Sequence, residues 1–172
     1  MKWSIALGIT LATAVAAAEP VEIDNLRSET PESWKAQPVT GMRKFQFRLP
    51  PEPDDPHPTE LIVFFFGKGQ GGAPSDNIAR WKGMFEKGEP KVTEETIAGA
   101  KATIVEISGT YLFRERPMDP GPPTPRPGQR MIGVHFATPG GPYFMRLVGP
   151  DATVSKHKKA FLEFLRGFKP AR

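Results

Sequence analysis

The stretch RMIGVHFATPGGPYFMRLVGP, residues 130–150, decides the architecture. Two apolar runs flank Thr138-Pro139-Gly140-Gly141, and that turn chemistry between strand-like segments reads as a β-hairpin. A tight connection forces the two strands to be antiparallel, because parallel neighbours need a crossover of a dozen or more residues. The expectation is therefore an antiparallel sheet, and the helical segments around it must cover that sheet.

Working outward, KATIVEISGTYLF (101–113) reads as a strand. Ile104, Glu106 and Ser108 lie on one face, with Thr103, Val105 and Ile107 on the other. LIVFFF (61–66) is a short apolar run of β-branched, aliphatic and aromatic residues, as expected of a central strand covered on both faces. MRKFQFRLP (42–50) alternates, with Phe45, Phe47 and Leu49 opposite Lys44, Gln46 and Arg48, and so reads as a half-buried strand. Downstream, Val154, Phe161, Phe164, Leu165 and Phe168 form the apolar stripe of a C-terminal amphipathic helix, capped by Asp151 or Thr153 and ended by Pro170. Ile78, Trp81 and Phe85 predict another helix, capped by Ser75 with Asp76 in its first turn. A short helical segment is expected from Thr93 to Ala98, and an early strand near Trp34. Residues 50–60 and the proline-rich stretch 114–129 read as loops. The fold class is α+β: an antiparallel sheet covered by helices.

The N-terminus carries a different signal. Lys2, an apolar run to Val15 and Ala16-Ala17-Ala18 before Glu19 have the layout of a secretory signal peptide over residues 1–18. The run is short of the roughly 20 residues that a spanning helix needs. The expectation is an exported protein, periplasmic or secreted, with no transmembrane span after cleavage near Ala18. Residues 19–33 read as a flexible N-terminal segment and 34–172 as a single domain. Removing 18 of 172 residues leaves 154, enough for one core without covalent staples. The chain has no cysteine, which excludes disulfides, thiolate nucleophiles and cysteine-based zinc sites. Its formal charge of +4 is too mild to argue for nucleic acid.

Gly67, Gly69 and Gly72 satisfy G-x-G-x-x-G between a strand and a helix. A dinucleotide site also needs a parallel βαβ unit and an acidic residue about 20 positions on, at the end of the next strand. Residues 85–100 are too polar and broken for that crossover, and no Gly-Lys precedes a Ser or Thr as in a Walker loop. The glycines read instead as the means by which the chain leaves a crowded strand end, with Lys68 and the loop amides left to bind a small anion. No cofactor is expected.

Catalytic constellations are missing. His57, His135 and His157 stand far apart, and neither H-E-x-x-H nor G-x-S-x-G occurs. Asp54, Asp55 and His57 read as an exposed acidic turn, with no metal site expected. Glu106 inside an apolar strand needs a cationic partner, from among Arg48, Arg130 and Arg146. Arginines interleaved with aromatics, at Arg80-Trp81, Tyr111–Arg116 and Tyr143–Arg146, resemble a stacking platform for single strands, but export argues against nucleic acid.

MRKFQFRLP, ELIVFFFGKGQGG, NIARW, ISGTY, the 130–150 hairpin and the closing helix together resemble a family of exported bacterial proteins with no assigned activity. More loosely, the element order is similar to the PsbP-like superfamily, which includes DcrB-type envelope proteins. That resemblance implies an α/β/α sandwich and an accessory or partner-binding role, and it brings no catalytic residues with it. The expected function is a non-enzymatic exported domain that binds an envelope protein or a small anionic ligand. Its contact residues are sought in two loops and their flanks: Lys68, Gly69, Gln70 and Gly71, with Arg80, and then Tyr111, Arg114, Arg116 and Arg130. The alternatives are an envelope enzyme using Glu106 and His135 in one pocket, and a purely structural envelope protein.

Overall fold

The computed structural model describes residues 18–116 and 120–171. The predicted signal peptide lies, but for Ala18, outside the described residues. The hairpin that anchors the sequence reading is present, formed by strands Thr124–Thr138 and Gly141–Pro150. In chain order the strands are β1 (Pro20–Ile23), β2 (Leu26–Glu29), β3 (Lys35–Ala36), β4 (Arg43–Leu49) and β5 (Thr59–Phe65). Helix α1 (Pro74–Lys82) follows, then β6 (Phe85–Glu86), β7 (Lys91–Ile97), β8 (Ala100–Phe113), β9 (Thr124–Thr138) and β10 (Gly141–Pro150). Helix α2 (Asp151–Arg166) and β11 (Lys169–Pro170) close the chain.

The large sheet runs β3-β4-β5-β10-β9-β8-β6, with β7 paired beside β6 along the same edge of β8. Every pairing is antiparallel. Thr138 pairs with Gly141, which leaves Pro139-Gly140 as the two-residue turn. Alternation then sorts side chains to two faces. Leu61, Val63, Ile104, Ile132, Val134, Met145 and Leu147 meet Val154, Phe161 and Leu165 of α2 in the larger core. Val105, Ile107, Met131 and Phe144 meet Trp81 and Phe85 on the opposite face, under α1. Each large apolar side chain so buried contributes about 1.5–3 kcal/mol. Trp81 lies flat on Gly133, where a Cβ would fall 2.7 Å from its ring, so β9 has a side-chain-free position where the helix crosses. No helix among the described residues is long and apolar enough to cross a membrane.

Several expectations are corrected. Residues 19–33 are not a flexible segment: β1 and β2 form a hairpin that buries Val21, Ile23 and Leu26, and β11 adds a third strand to it. Its alternation spans only four residues per strand, and its support comes from the far end of the chain. Asp24, at the hairpin tip with φ 50°, accepts hydrogen bonds from Thr138 Oγ1 and from Gly140 N at 3.0 Å, tying the two hairpins together. Residues 93–97 are strand rather than helix, and Ala98 begins a turn. β7 is rich in β-branched residues and pairs with β8 through Ala98-Gly99, both at positive φ, the geometry of a two-residue hairpin turn.

The stretch 114–129 is not loop throughout, because β9 begins at Thr124. Its first residues pair with β8 alone, since β10 reaches only to the Gln129–Pro150 pair. Pro125 and Pro127 therefore occupy an edge, where a missing N–H can be tolerated.

Helix boundaries also shift. Ser75 is not the cap of α1. Ala73 is, and Asp76 accepts a hydrogen bond from its amide at 3.1 Å. Neither Asp151 nor Thr153 caps α2, which follows Pro150 directly. Thr153 Oγ1 accepts from Glu52 N at 2.8 Å and donates to Asp55, tying the proline loop to the helix. α2 ends at Gly167, before Pro170, which becomes part of β11. Trp34, next to β3, anchors that side. Its Nε1 donates to His157 Nδ1 at 3.4 Å, leaving His157 Nε2–H to donate to the Pro50 carbonyl at 2.9 Å.

Candidate functional site

The glycine loop turns out to be internally engaged. Gly67, Gly69, Gly71 and Gly72 all have positive φ, between 74° and 105°, a region that side chains rarely adopt. At Gly71 the backbone also lies against aromatic rings, and a Cβ there would fall 2.5 Å from Phe144 Cζ and 3.2 Å from Phe66. Asn77, fully buried, donates to the carbonyls of Gly71 at 3.0 Å and Ala73 at 2.9 Å, stitching loop to helix. The helix N-terminus, where a phosphate would sit, has Pro74 in its first turn and the Asp76 carboxylate on its cap amide. β5, which enters the loop, has antiparallel neighbours on both sides. The loop therefore lacks the parallel unit that a dinucleotide site requires, and the cap amide at its helix end is already taken by Asp76.

Glu106 and His135 cannot share a pocket, which corrects the enzyme alternative. Glu106 is paired with Ile132 and faces α2, whereas His135 is paired with Phe144 and faces α1. The Glu106 carboxylate accepts from Arg130 Nη1 and from Lys158 Nζ at 2.6 Å. Arg130 Nε also donates to Asp151 Oδ1 at 2.7 Å. Burial works to raise the Glu106 pKa. The hydrogen bonds from Lys158 and Arg130 outweigh it and hold the group below the ordinary carboxylate value. Arg130, expected as a contact residue, is thus committed to an ion-pair cluster between sheet and α2. His135 is buried edge-on to Phe144 at 5.1 Å, beside the Gly72 backbone, and burial pushes its pKa below the ordinary histidine value.

The α1 face has its open feature at the other end of the sheet. Beyond Gly83, where α1 stops, two cavities of about 290 and 430 Å³ share Tyr111, Arg114 and Arg146 as their common wall. Arg43, Arg126, Phe113 and Ile62 line the smaller, together with Glu60 and Glu115. Arg80, Met84, Leu112 and Pro123 line the larger, which has no carboxylate among the described residues of its wall. Strand alternation places these groups. Phe144, Arg146 and Val148 follow one another on this face of β10, and Tyr111 pairs with Arg126 across β8 and β9. Arg126 stacks on Phe113 at 3.4 Å, while Arg146 lies 5.6 Å from the Phe64 ring and donates to Met84 Sδ at 3.5 Å.

The electrostatics of this groove are unusual. Arg126 Nε and Arg146 Nε are buried without a hydrogen-bond acceptor, and among the described residues neither guanidinium forms a salt bridge. By contrast, Arg48 is paired with Glu60 at 3.4 Å, and Arg166 with Glu95 at 2.6 Å. A larger cavity, about 490 Å³ between β2 and α2, has no unsatisfied buried side chain among the described residues of its wall. Its Arg27 pairs with Glu22 and Glu29. Volume alone therefore does not mark the site.

Of the residues expected from sequence, the structure brings Arg80, Tyr111 and Arg114 to the groove. Arg80 also bonds Asn77, and Arg114 bonds the Gly121 carbonyl. Lys68, Gly69, Gln70 and Gly71 lie at the opposite end of the face, where Lys68 backs onto the β9–β10 turn at Gly141. Arg116 follows the groove without lining it. Arg43, Arg126 and Arg146 were missed as contact residues. The available signal was the period-two alignment of Arg146 with Phe144, which puts a guanidinium on an otherwise apolar strand face.

No family model matches the chain, and no curated protein matches it in sequence. Solved structures do match. The solution structure of cyanobacterial PsbP (CyanoP) from Synechocystis sp. PCC 6803 aligns with a TM-score of 0.57 at 13% identity, covering 95% of this chain and 98% of that one. The crystal structure of PA94, a protein of unknown function from Pseudomonas aeruginosa, aligns with a TM-score of 0.51 at 16% identity, covering 90% and 98%. The chain has the PsbP-like α+β fold, as the sequence resemblance implied.

Proposed function

We propose that the protein is an exported, non-enzymatic binding domain whose arginine groove receives an anionic group from a ligand or partner. The observation that carries this reading is the pair of buried guanidinium edges, Arg126 Nε and Arg146 Nε, left without acceptors in the groove wall. A buried polar donor left unpaired costs about 1–3 kcal/mol, more when charged. An oxyanion in the groove meets the outer N–H groups of the same guanidiniums, which no carboxylate has claimed, and guanidinium geometry suits carboxylate and phosphate. The PsbP-like fold of an accessory-type domain supports the same reading, as does the separation of Glu106 from His135 on opposite faces.

The test is a thermal-shift series on the secreted form with phosphate, sulfate, benzoate and phenyl phosphate. At least one anion raises Tm in the native protein, and Arg126→Gln with Arg146→Gln removes the rise. Unchanged Tm across the series rules the groove out as an anion site. Export is checked separately, by the mass of protein recovered from the periplasm, which begins at Glu19 if the signal is cleaved as expected.

A further inference from the structure

We infer that the groove takes a small amphipathic organic anion, with its oxyanion at Arg146 and Arg114 and an apolar body in the larger compartment. This rests on the reading above and adds the ligand class. The two compartments are chemically unequal. The smaller, beside Arg43 and Arg126, also carries Glu60 and Glu115, which oppose a second negative group. The larger, about 430 Å³, has no carboxylate among the described residues of its wall, and Met84, Leu112, Pro123 and Tyr111 give it an apolar lining. A cavity of that size falls in the range of small-molecule sites, which pair an apolar lining with a few converging polar groups.

Arg114 and Arg146 stand in the wall common to both compartments, so an anion held there projects its remainder into the apolar one. Arg146 is poised for that role. Its present neighbours are a thioether sulfur at 3.5 Å and the Phe64 ring, both weak partners for a guanidinium, and its Nε has none. The aromatic face holds the guanidinium plane in place, so less rotamer freedom is lost when the anion arrives.

Calorimetric titration of the secreted form decides the matter, using inorganic phosphate, phenyl phosphate, phenol and vesicles of phosphatidylglycerol. Phenyl phosphate is expected to bind at least tenfold more tightly than inorganic phosphate, with phenol and vesicles not binding. Leu112→Ser should narrow the ratio between the two phosphates, and Arg146→Gln should lower phenyl phosphate affinity at least tenfold. If Arg146→Gln does not fold by circular dichroism, Arg146→Lys serves, since it keeps the charge and loses the planar fork. Equal affinity for the two phosphates, both dependent on Arg146, overturns the amphipathic class and leaves the anion groove standing. Binding of vesicles without phenyl phosphate reassigns the groove to a lipid headgroup and overturns the small-molecule class. No binding by any probe overturns both readings.

Discussion

Two strand arginines, Arg130 and Arg146, are half-buried on opposite faces of the same sheet and end in different company. Arg130, under α2, is held by Glu106 and Asp151, and Lys158 shares the Glu106 carboxylate. Arg146, on the α1 face, has a sulfur, an aromatic ring and an orphaned Nε. The difference follows from helix length. At 1.5 Å per residue, the 16 residues of α2 run about 24 Å, and the 9 of α1 only about 14 Å. α2 is long enough to supply Asp151 and Lys158 to its face. α1 stops short, and its end merely rims the groove with Arg80 and Met84. A charge that a helix covers can be paired from within. One that lies beyond the helix must be met by water or by a ligand.

The contrast can be broken or sharpened by substitution, beginning with the helix that makes the closed face closed. Phe161→Ala removes a fully buried ring from the α2 seam and should lower unfolding stability by about 3–5 kcal/mol, read from the urea midpoint. A loss below 1 kcal/mol would mean that α2 is not the organising cover of that face.

Glu106→Gln leaves Arg130 and Lys158 without their shared carboxylate. The cluster is partly exposed, so the expected loss is about 1–3 kcal/mol rather than that of a fully buried pair. It also has a pH signature. The Glu106 pKa is lower folded than unfolded, so its contribution is present above the unfolded value of about 4.3 and fades as pH falls through the folded one. The stability difference between the native protein and Glu106→Gln should shrink on acidification across that window. A constant difference would show that the cluster is not what the substitution disturbs.

Asp76→Ala tests the occupied helix terminus, with an expected loss of about 0.5–2 kcal/mol by chemical denaturation. If it also produced phosphate binding at the glycine loop, the engaged state of that loop would be due to Asp76 alone.

The smallest effect on stability is expected at Arg146→Met. Replacing an uncompensated guanidinium by an apolar chain of similar length should change stability by no more than about 1 kcal/mol, in either direction. The same change at Arg130 takes the partner from Asp151 and leaves Glu106 with Lys158 alone, and should be clearly destabilising. Equal losses at the two positions would erase the distinction between the faces.

Legibility in the sequence tracked the range of the interaction. The 130–150 hairpin, the 61–66 strand and the stripe of α2 are written in local periodicity and turn residues, and they stand where they were expected. The β1–β2 hairpin was hidden, because four-residue strands carry little pattern and its partner β11 lies about 140 positions away. β7 was misread because its alternating polar residues suit an exposed edge as well as a helix surface. At the site, Arg80, Tyr111 and Arg114 could be named from arginine–aromatic interleaving. Their convergence with Arg43, Arg126 and Arg146 could not, since it depends on the register of β8 with β9 and of β10 with β5.

By itself the amino-acid order determined the antiparallel character of the sheet, the places of its two covering helices, though with a third over residues 93–98 that the structure makes strand and turn, and the lack of familiar catalytic or nucleotide motifs. Each of those is a property of neighbouring residues. Only the tertiary structure decided that Glu106 and His135 are separated by the thickness of the sheet, that Asn77 and Asp76 tie the glycine loop to its helix, and that Arg126 and Arg146 remain uncompensated. Whether a buried charge finds a partner is settled by distances between segments remote in the chain, and those distances exist only once the strands have chosen their register.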